Sequence, residues 1–177
     1  AIYSILKQKY NYTKPKIEII LSIDDQKNYK DFIVNENNYI RTKIVTTYKN
    51  GSGAGNARNE GFRKSKGKYI GFLDADDSYS ENYLDEMYRN VKTNGIVIAP
   101  TFIYLNHKKI LEFRGLNKNL LVIDDISKVP CTFHPFIKKS MYKYFFNKPS
   151  QDVYNLAKLL NENSIKMLNN IYYRLNL

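Results

Sequence analysis

Residues 69–78 read YIGFLDADDS, an apolar run followed by three carboxylates, Asp74, Asp76 and Asp77, within four positions. Carboxylates packed that closely repel one another and need a cation, capping N–H groups or water. Hard oxygen donors at i and i+2 on a strand end can turn toward one divalent ion, Mg or Mn, and leave its other positions to waters and phosphates. The competing reading is an acidic turn entering the next helix, where the helix dipole favours acids. DADD taken alone leaves both open.

Other residues offer related chemistry. Asp24 and Asp25 end a second apolar run, KIEIILSIDD. The loop NGSGAG (50–55) lets backbone approach a phosphate or simply makes a turn, and it has neither the Lys-Ser/Thr of a Walker A sequence nor the G-x-G-x-x-G spacing of a dinucleotide site. Asp152 opens an amphipathic stretch with Val153, Leu156, Leu159 and Leu160 on one face. The positive end of a helix dipole suits a carboxylate there, as a general base or as a cap. His107 in a tight turn and His134 in a Pro-containing loop read as structural or exposed, with His134 also able to line an acceptor pocket. Lys138 and Lys139 read as a solvated pair, and Tyr172 and Tyr173 as packing residues.

The elements that must hold these residues alternate between strand and helix. Apolar periodicity and turn residues predict a helix over 1–9, a strand over 16–25, a short helix over 28–37 with Phe32 and Ile33 inward, and a strand over 41–48. After the glycine loop come a helix over 56–66, a strand over 68–77, and a helix with Ser80 as N-cap and Gly95 past its end. Residues 95–105 and 108–114 read as two strands joined by an Asn106-His107 turn. LLVIDDI (120–126) is a strand or a helix lead-in, VPCTFHPF a loop, IKKSMYKYFF a short helix, 153–160 a helix, and IKMLNNIYYRL one or two strands. Such alternation implies an α/β fold. Ligands of open α/β sheets sit at the carboxyl ends of strands, so Asp24, Asp25, Asp74, Asp76 and Asp77 could share one crevice.

Composition narrows the partners. With 177 residues the chain suits one domain, and no run approaches the roughly 18 apolar residues of a membrane-spanning helix. The net charge of +11 calls for an anionic partner: nucleic acid, an anionic membrane face or a phosphorylated small molecule. The basic residues are dispersed, and a nucleic-acid-binding module would leave the acidic strand ends unexplained, so no nucleic acid is expected. Cys131 is the single cysteine, which excludes an intrachain disulfide and fits a cytoplasmic site of action, with peripheral contact at an inner membrane face a further expectation.

Taken in order, the stretches AIYSILKQKY, IEIILSIDD, GAGNARNEGFRKSKGKYIGFLDADD and QDVYNLAKLLNENSIKMLNNIYYRLN resemble the family-2 glycosyltransferases, nucleotide-sugar enzymes of the GT-A fold, over nearly the whole chain. The resemblance implies an α/β domain with a mostly parallel central sheet flanked by helices, residues 1–100 forming a nucleotide-sugar half and 101–177 an acceptor half. By position, Asp25 looks like the acid that contacts uracil or ribose, and Gly53 and Arg58 look like donor-site residues. Asp74 and Asp76 look like the D-x-D pair that holds ribose and a diphosphate-bound Mn or Mg, and Asp152 looks like the catalytic base. The implied reaction is inverting transfer from a nucleotide sugar, UDP by resemblance, to a saccharide or lipid-linked acceptor. The sequence departs from the family pattern at Gln151, where Glu is usual, and at Gln26, where Gly is usual. The family's opening strand has no counterpart after Ala1. A parallel sheet without a central member leaves buried backbone groups unpaired, so roughly a dozen further residues ahead of Ala1 are expected. Gln151 and that strand also motivate an alternative, a catalytically inactive nucleotide- or sugar-binding domain of the same fold.

Overall fold

The run IEIILSI is apolar enough to be covered on both faces, and in the computed structural model it forms strand β1 (Ile17–Ile23). β1 pairs in parallel with β2 (Ile40–Thr46), from Ile17 opposite Ile40 to Ile23 opposite Thr46. The structure describes residues 1–177 except 13, 34–36, 116–118, 129–132, 147 and 162–163. Cys131 and the first half of the expected VPCTFHPF loop lie outside the described residues. Helix α1 (Ile2–Leu6) precedes β1, and α2 (Ala54–Lys64) follows the glycine loop and packs on β1 and β2. The other edge of β1 pairs with no strand among the described residues.

Next come β3 (Tyr69–Ile70), β4 (Ser78–Tyr79), α3 (Tyr83–Asn94), β5 (Ile96–Ile98), β6 (Thr101–Leu105), β7 (Lys108–Phe113), β8 (Leu120–Leu121), β9 (Phe136–Lys138), α4 (Gln151–Leu160), β10 (Ile165–Met167) and β11 (Tyr173–Asn176). They build a five-stranded sheet ordered β3-β9-β5-β10-β8 and a four-stranded sheet ordered β4-β11-β6-β7. Parallel pairing joins β5 to β10 and β6 to β11, and the remaining pairs of these two sheets are antiparallel.

The core follows from strand alternation around β5. Ile96 and Ile98 face Leu156, Leu159 and Leu160 of α4, while Val97 and Ala99 face Tyr83, Leu84, Met87 and Val91 of α3. A central strand with a helix on each face removes apolar surface from water on both sides, at about 1.5–3 kcal/mol for each fully buried large side chain.

Several expectations are corrected. Phe32 and Ile33 are exposed, because residues 30–32 make only a 3-10 turn too short to carry an inward face. Ser80 does not cap α3: Asn82 holds the N-cap position, and the Ser80 hydroxyl instead accepts the Tyr172 N–H at 3.0 Å. Gly95 does end α3, at φ 76°, where a side chain would be strained. The stretch 95–105 is two strands in different sheets, broken at Ala99-Pro100, because proline cannot donate to a ladder. The β6–β7 turn at Asn106 and His107 is as expected, both residues having positive φ. Residues 137–146 form no helix: β9 and a 3-10 turn over Lys139–Met141 lead into extended chain. Ladder pairing along KYIGFLDADD ends at Ile70, where the Phe136 ring lies so close to Gly71 that a Cβ there would sit 2.6 Å from it.

Candidate active site

The chain leaving β1 delivers Asp24 into the glycine loop. Its Oδ1 accepts the Ser52 N–H (2.8 Å), the Ser52 hydroxyl (2.6 Å) and the Thr47 hydroxyl (3.1 Å), and its Oδ2 accepts the Gly53 N–H (2.8 Å). Burial by itself pushes this carboxyl up, but the bonds from Ser52, Gly53 and Thr47 together outweigh it and hold the pKa below the usual value. Gly53, at φ 93° and ψ 152°, occupies backbone space that side chains rarely adopt, and starts α2 with its carbonyl accepting the Ala57 N–H at 3.1 Å. Asp24 is therefore the anchor of the loop, a role that the sequence did not single out. Asp25 stands at the rim, accepting the Tyr29 hydroxyl (2.8 Å) and the Lys27 N–H (3.1 Å), and the Tyr29 bond is the main cause of its lowered pKa.

From α2, Arg58 reaches the end of the apolar run that begins with β3. Its Nη2 donates to Asp74 Oδ1 at 2.6 Å, and its side chain is only 11% exposed against 41% for Asp74. The guanidinium lies 5.4 Å from the Phe145 ring centre. Its Nη1 is buried and has no hydrogen-bond partner among the described residues. An unpaired buried guanidinium nitrogen is costly in the free protein and ready for an oxyanion.

The three carboxylates of DADD prove to have three different environments. Asp77 is buried, with Oδ2 accepting the Tyr173 hydroxyl (2.6 Å) and Oδ1 the Asn176 N–H (3.0 Å), and burial pushes its carboxyl up. The Tyr173 oxygen also accepts the Asp74 N–H (3.2 Å), and the Asn176 side-chain amide donates to the Asp76 carbonyl (2.7 Å). β11 thus clasps the turn from behind. Asp74 pairs with Arg58, and the Asp76 side chain is exposed.

His134 is buried and stacks on Tyr173 at 4.3 Å between ring centres. Burial brings its pKa down from 6.5 to about 4, with smaller influences from Asp74, Arg58 and Asp152, so all three charges lie within electrostatic reach of this one imidazole. Asp74, Asp77 and His134 place ligand atoms within 4.8 Å of one another. Asp152 stands in the first turn of α4, its Oδ1 accepting the Val153 N–H at 2.9 Å. Beside it the starts of α2 and α4 border an open cavity of about 370 Å³ that Gly53, Gly55, Lys148, Ser150 and Gln151 line. The buried Gln151 Oε1 has no partner among the described residues and, with the Phe146 carbonyl, crowds Gly55 so closely that a Cβ at position 55 would stand 2.9 Å and 2.6 Å from them. Tyr173 and Asn176 are the site residues whose part the sequence left unread, since only the returning chain brings them there, and His134, read as structural or as lining an acceptor pocket, is buried against Tyr173.

The neutral state of His134 has a measurable consequence. A base whose folded pKa is depressed stabilises the fold above its unfolded value and loses that contribution as pH falls from about 6.5 to about 4. Asp77, raised in the fold, works in the opposite sense and adds stability as pH falls in the range above 3.8. The melting temperature of metal-free protein should fall between pH 6.5 and 4, and His134→Gln should flatten that fall, a difference on the order of 3 kcal/mol. Parallel pH profiles for the two proteins would remove His134 as its source.

The fold is that of a GT-A domain. Over 99% of its length the chain superposes on 55% of S. aureus TarS 1-349 in complex with UDP, with a TM-score of 0.74 at 16% identity. It also superposes, again over 99%, on 40% of GalNAc-T7 with UDP, GalNAc and Mn2+, with a TM-score of 0.69 at 12% identity. Residues 1–148 match Glycosyl transferase family 2, and the chain belongs to that family. It is 29% identical, over 187 aligned residues, to the Escherichia coli protein UDP-Glc:alpha-D-GlcNAc-diphosphoundecaprenol beta-1,3-glucosyltransferase WfgD, covering 96% of this chain. The chain spans 66% of WfgD's length and about half of the TarS fragment's.

Proposed function

We propose that this chain is the donor-binding and catalytic core of an inverting glycosyltransferase that moves a sugar from a UDP-sugar to a hydroxyl of a saccharide or lipid-linked acceptor, in cell-surface polysaccharide or glycolipid synthesis. The observation that carries the reading is Arg58, largely buried, paired with Asp74 and left with an Nη1 that has no partner among the described residues, while Asp76, two positions along the chain from Asp74, is exposed. A diphosphate accompanied by a divalent cation supplies what both groups need. The UDP of the TarS complex, the UDP and Mn2+ of the GalNAc-T7 complex, and the UDP-Glc and diphosphoundecaprenol in WfgD's name support the choice of donor, metal and acceptor class.

In this reading residues 1–100 form the donor half. Asp25 at the rim meets uracil or ribose, the Gly53 backbone lets the nucleotide approach closely, and Arg58 donates to a phosphate oxygen. Asp74 and Asp76 offer hard oxygen donors that fit Mn or Mg, and the bound ion would lower the charge on the departing diphosphate. Asp77, with both oxygens engaged by β11, keeps the turn in shape. Residues 101–177 form the acceptor half. There Asp152 takes the proton of the acceptor hydroxyl as its oxygen bonds to the anomeric carbon on the face opposite the nucleotide. The bond from that carbon to the diphosphate oxygen breaks, and configuration inverts. No helix among the described residues is long and apolar enough to cross a membrane, and the proposed place of action is the cytoplasmic membrane face.

UDP should raise the melting temperature, and raise it further with Mn. Asp76→Asn should keep the melting temperature of the free protein, since the side chain is exposed, and lose the Mn-dependent increment. Undiminished Mn dependence in the variant would remove Asp76 from the metal site. The inactive-domain alternative, favoured by Gln151, predicts UDP binding with neither sugar transfer nor donor hydrolysis.

A further inference from the structure

Beside the site the molecule carries a surface that the transfer reaction does not use. Extended chain after the 3-10 turn at Lys139–Met141 buries Phe145 under Arg58 and turns its neighbours Tyr144 and Phe146 outward. Phe146 packs edge-on against Tyr154 of α4, with ring centres 4.8 Å apart, and Ile123 and Tyr154 border one open depression of about 410 Å³ together with Lys143 and Lys158. Ile123, Tyr144, Phe146 and Tyr154 are between 44% and 56% exposed, so four large apolar side chains face water on one side of the fold. Their polar companions are mainly cationic. Residues 143–161 contain Lys143, Lys148 and Lys158 against the single acid Asp152, and Lys158 Nζ lies 3.6 Å from the Phe146 ring centre and 5.3 Å from that of Tyr154. Arg63, ion-paired with Glu60, lies over Tyr144 at 5.4 Å.

We propose that this face, built by residues 143–146 and the outer side of α4, docks the protein on an anionic lipid bilayer. Tyrosine and phenylalanine rings with flanking lysines match the bilayer interface, where the ring enters the headgroup layer and the ammonium meets lipid phosphate. The chain's net charge of +11 supplies long-range attraction to the same surface. A second copy of this chain would present the same lysines to one another, which disfavours self-association through this patch. The face lies on the same helix as Asp152, two residues before Tyr154, so docking would bring the candidate base close to acceptors carried in the membrane.

The test is co-sedimentation of the intact protein with vesicles containing phosphatidylglycerol and with vesicles of phosphatidylcholine alone, in the absence of donor and acceptor, so that the result is independent of the transfer reaction. Binding should favour the anionic vesicles and weaken with salt. Lys158→Glu should lower the partition coefficient by about 5-fold or more, and Tyr154→Ser combined with Phe146→Ser by about 10-fold, with the UDP-induced rise in melting temperature kept. Should the double variant fail to fold, Lys158→Glu decides by itself. Equal binding to both vesicle types, or unchanged partition in a folded variant, overturns the proposal. So does concentration-dependent self-association that these substitutions abolish, which would assign the face to a second copy.

Discussion

Asp152→Asn is expected to lower the rate of sugar transfer by roughly 100-fold or more and to leave donor affinity nearly unchanged. The size of the effect is the usual range for losing a positioned general base. The separation of effects follows from the site. Asp152 stands at the start of α4, on the proposed acceptor side, whereas the proposed donor contacts come from Asp25, Gly53, Arg58 and the D-x-D pair. Asparagine keeps the size and the acceptor oxygen that meets the Val153 N–H, so α4 should retain its start and the protein its melting temperature. Transfer rate and UDP affinity measured on the same preparation decide the matter. A variant that transfers at near wild-type rate, or one that loses UDP binding and thermal stability together, returns Asp152 to a capping role.

The second large effect concerns a residue with no proposed contact to substrate. Asp24→Ala removes the acceptor of four hydrogen bonds that hold Thr47, Ser52 and Gly53. Bonds to a charged acceptor contribute about 1.5–3 kcal/mol each, but the freed loop can turn some of its donors to water. A net loss of about 3 kcal/mol, or about 10 °C in melting temperature for a domain of this size, is expected. UDP affinity should fall with it, since Gly53 then loses the bond that fixes its backbone. Asp25→Ala should do the reverse, weakening UDP binding while the melting temperature stays put, because Asp25 bonds only within its own exposed loop. If both variants melt with the wild type, the glycine loop is held by the α2 helix start without help from Asp24.

The difference between these two adjacent acids marks how far the sequence could be read. Periodicity located β1, β2 and α4 closely, because each carries enough apolar residues to report its own period, whereas α2, with only Ala54, Ala57 and Phe62 apolar, was bracketed by the glycine loop before it and Gly67 after it. The acidic end of β1 and the helix position of Asp152 were legible from that same periodicity, DADD proved to lie past the pairing that ends at Ile70, and Gly53 and Arg58 were named only through the resemblance to family 2, which agreed with the fold. Which of Asp24 and Asp25 turns toward the glycine loop depends on chain that returns more than twenty residues later, and that is a tertiary fact. Ser80 reads locally as a cap, yet its hydroxyl is taken by Tyr172, 92 residues away. Phe32 and Ile33 look inward by composition, but three residues of 3-10 helix offer no packed face. In each case a distant partner, or its lack among the described residues, overrode a local preference.

The clasp that β11 places on the acidic turn sets an order of events. Its bonds from Tyr173 and Asn176 to residues 74–77 span 96 to 100 positions of chain. Contacts of such separation form only after the intervening chain has closed, at an entropic cost that local pairing does not bear. At a synthesis rate of about 5–20 residues per second, the DADD segment leaves the ribosome roughly 5–20 s before the strand that clasps it. Through that interval the nascent protein carries three neighbouring carboxylates without the two groups that engage Asp77. Competence to hold the proposed metal and nucleotide would therefore arise only at the moment β11 docks beside β6.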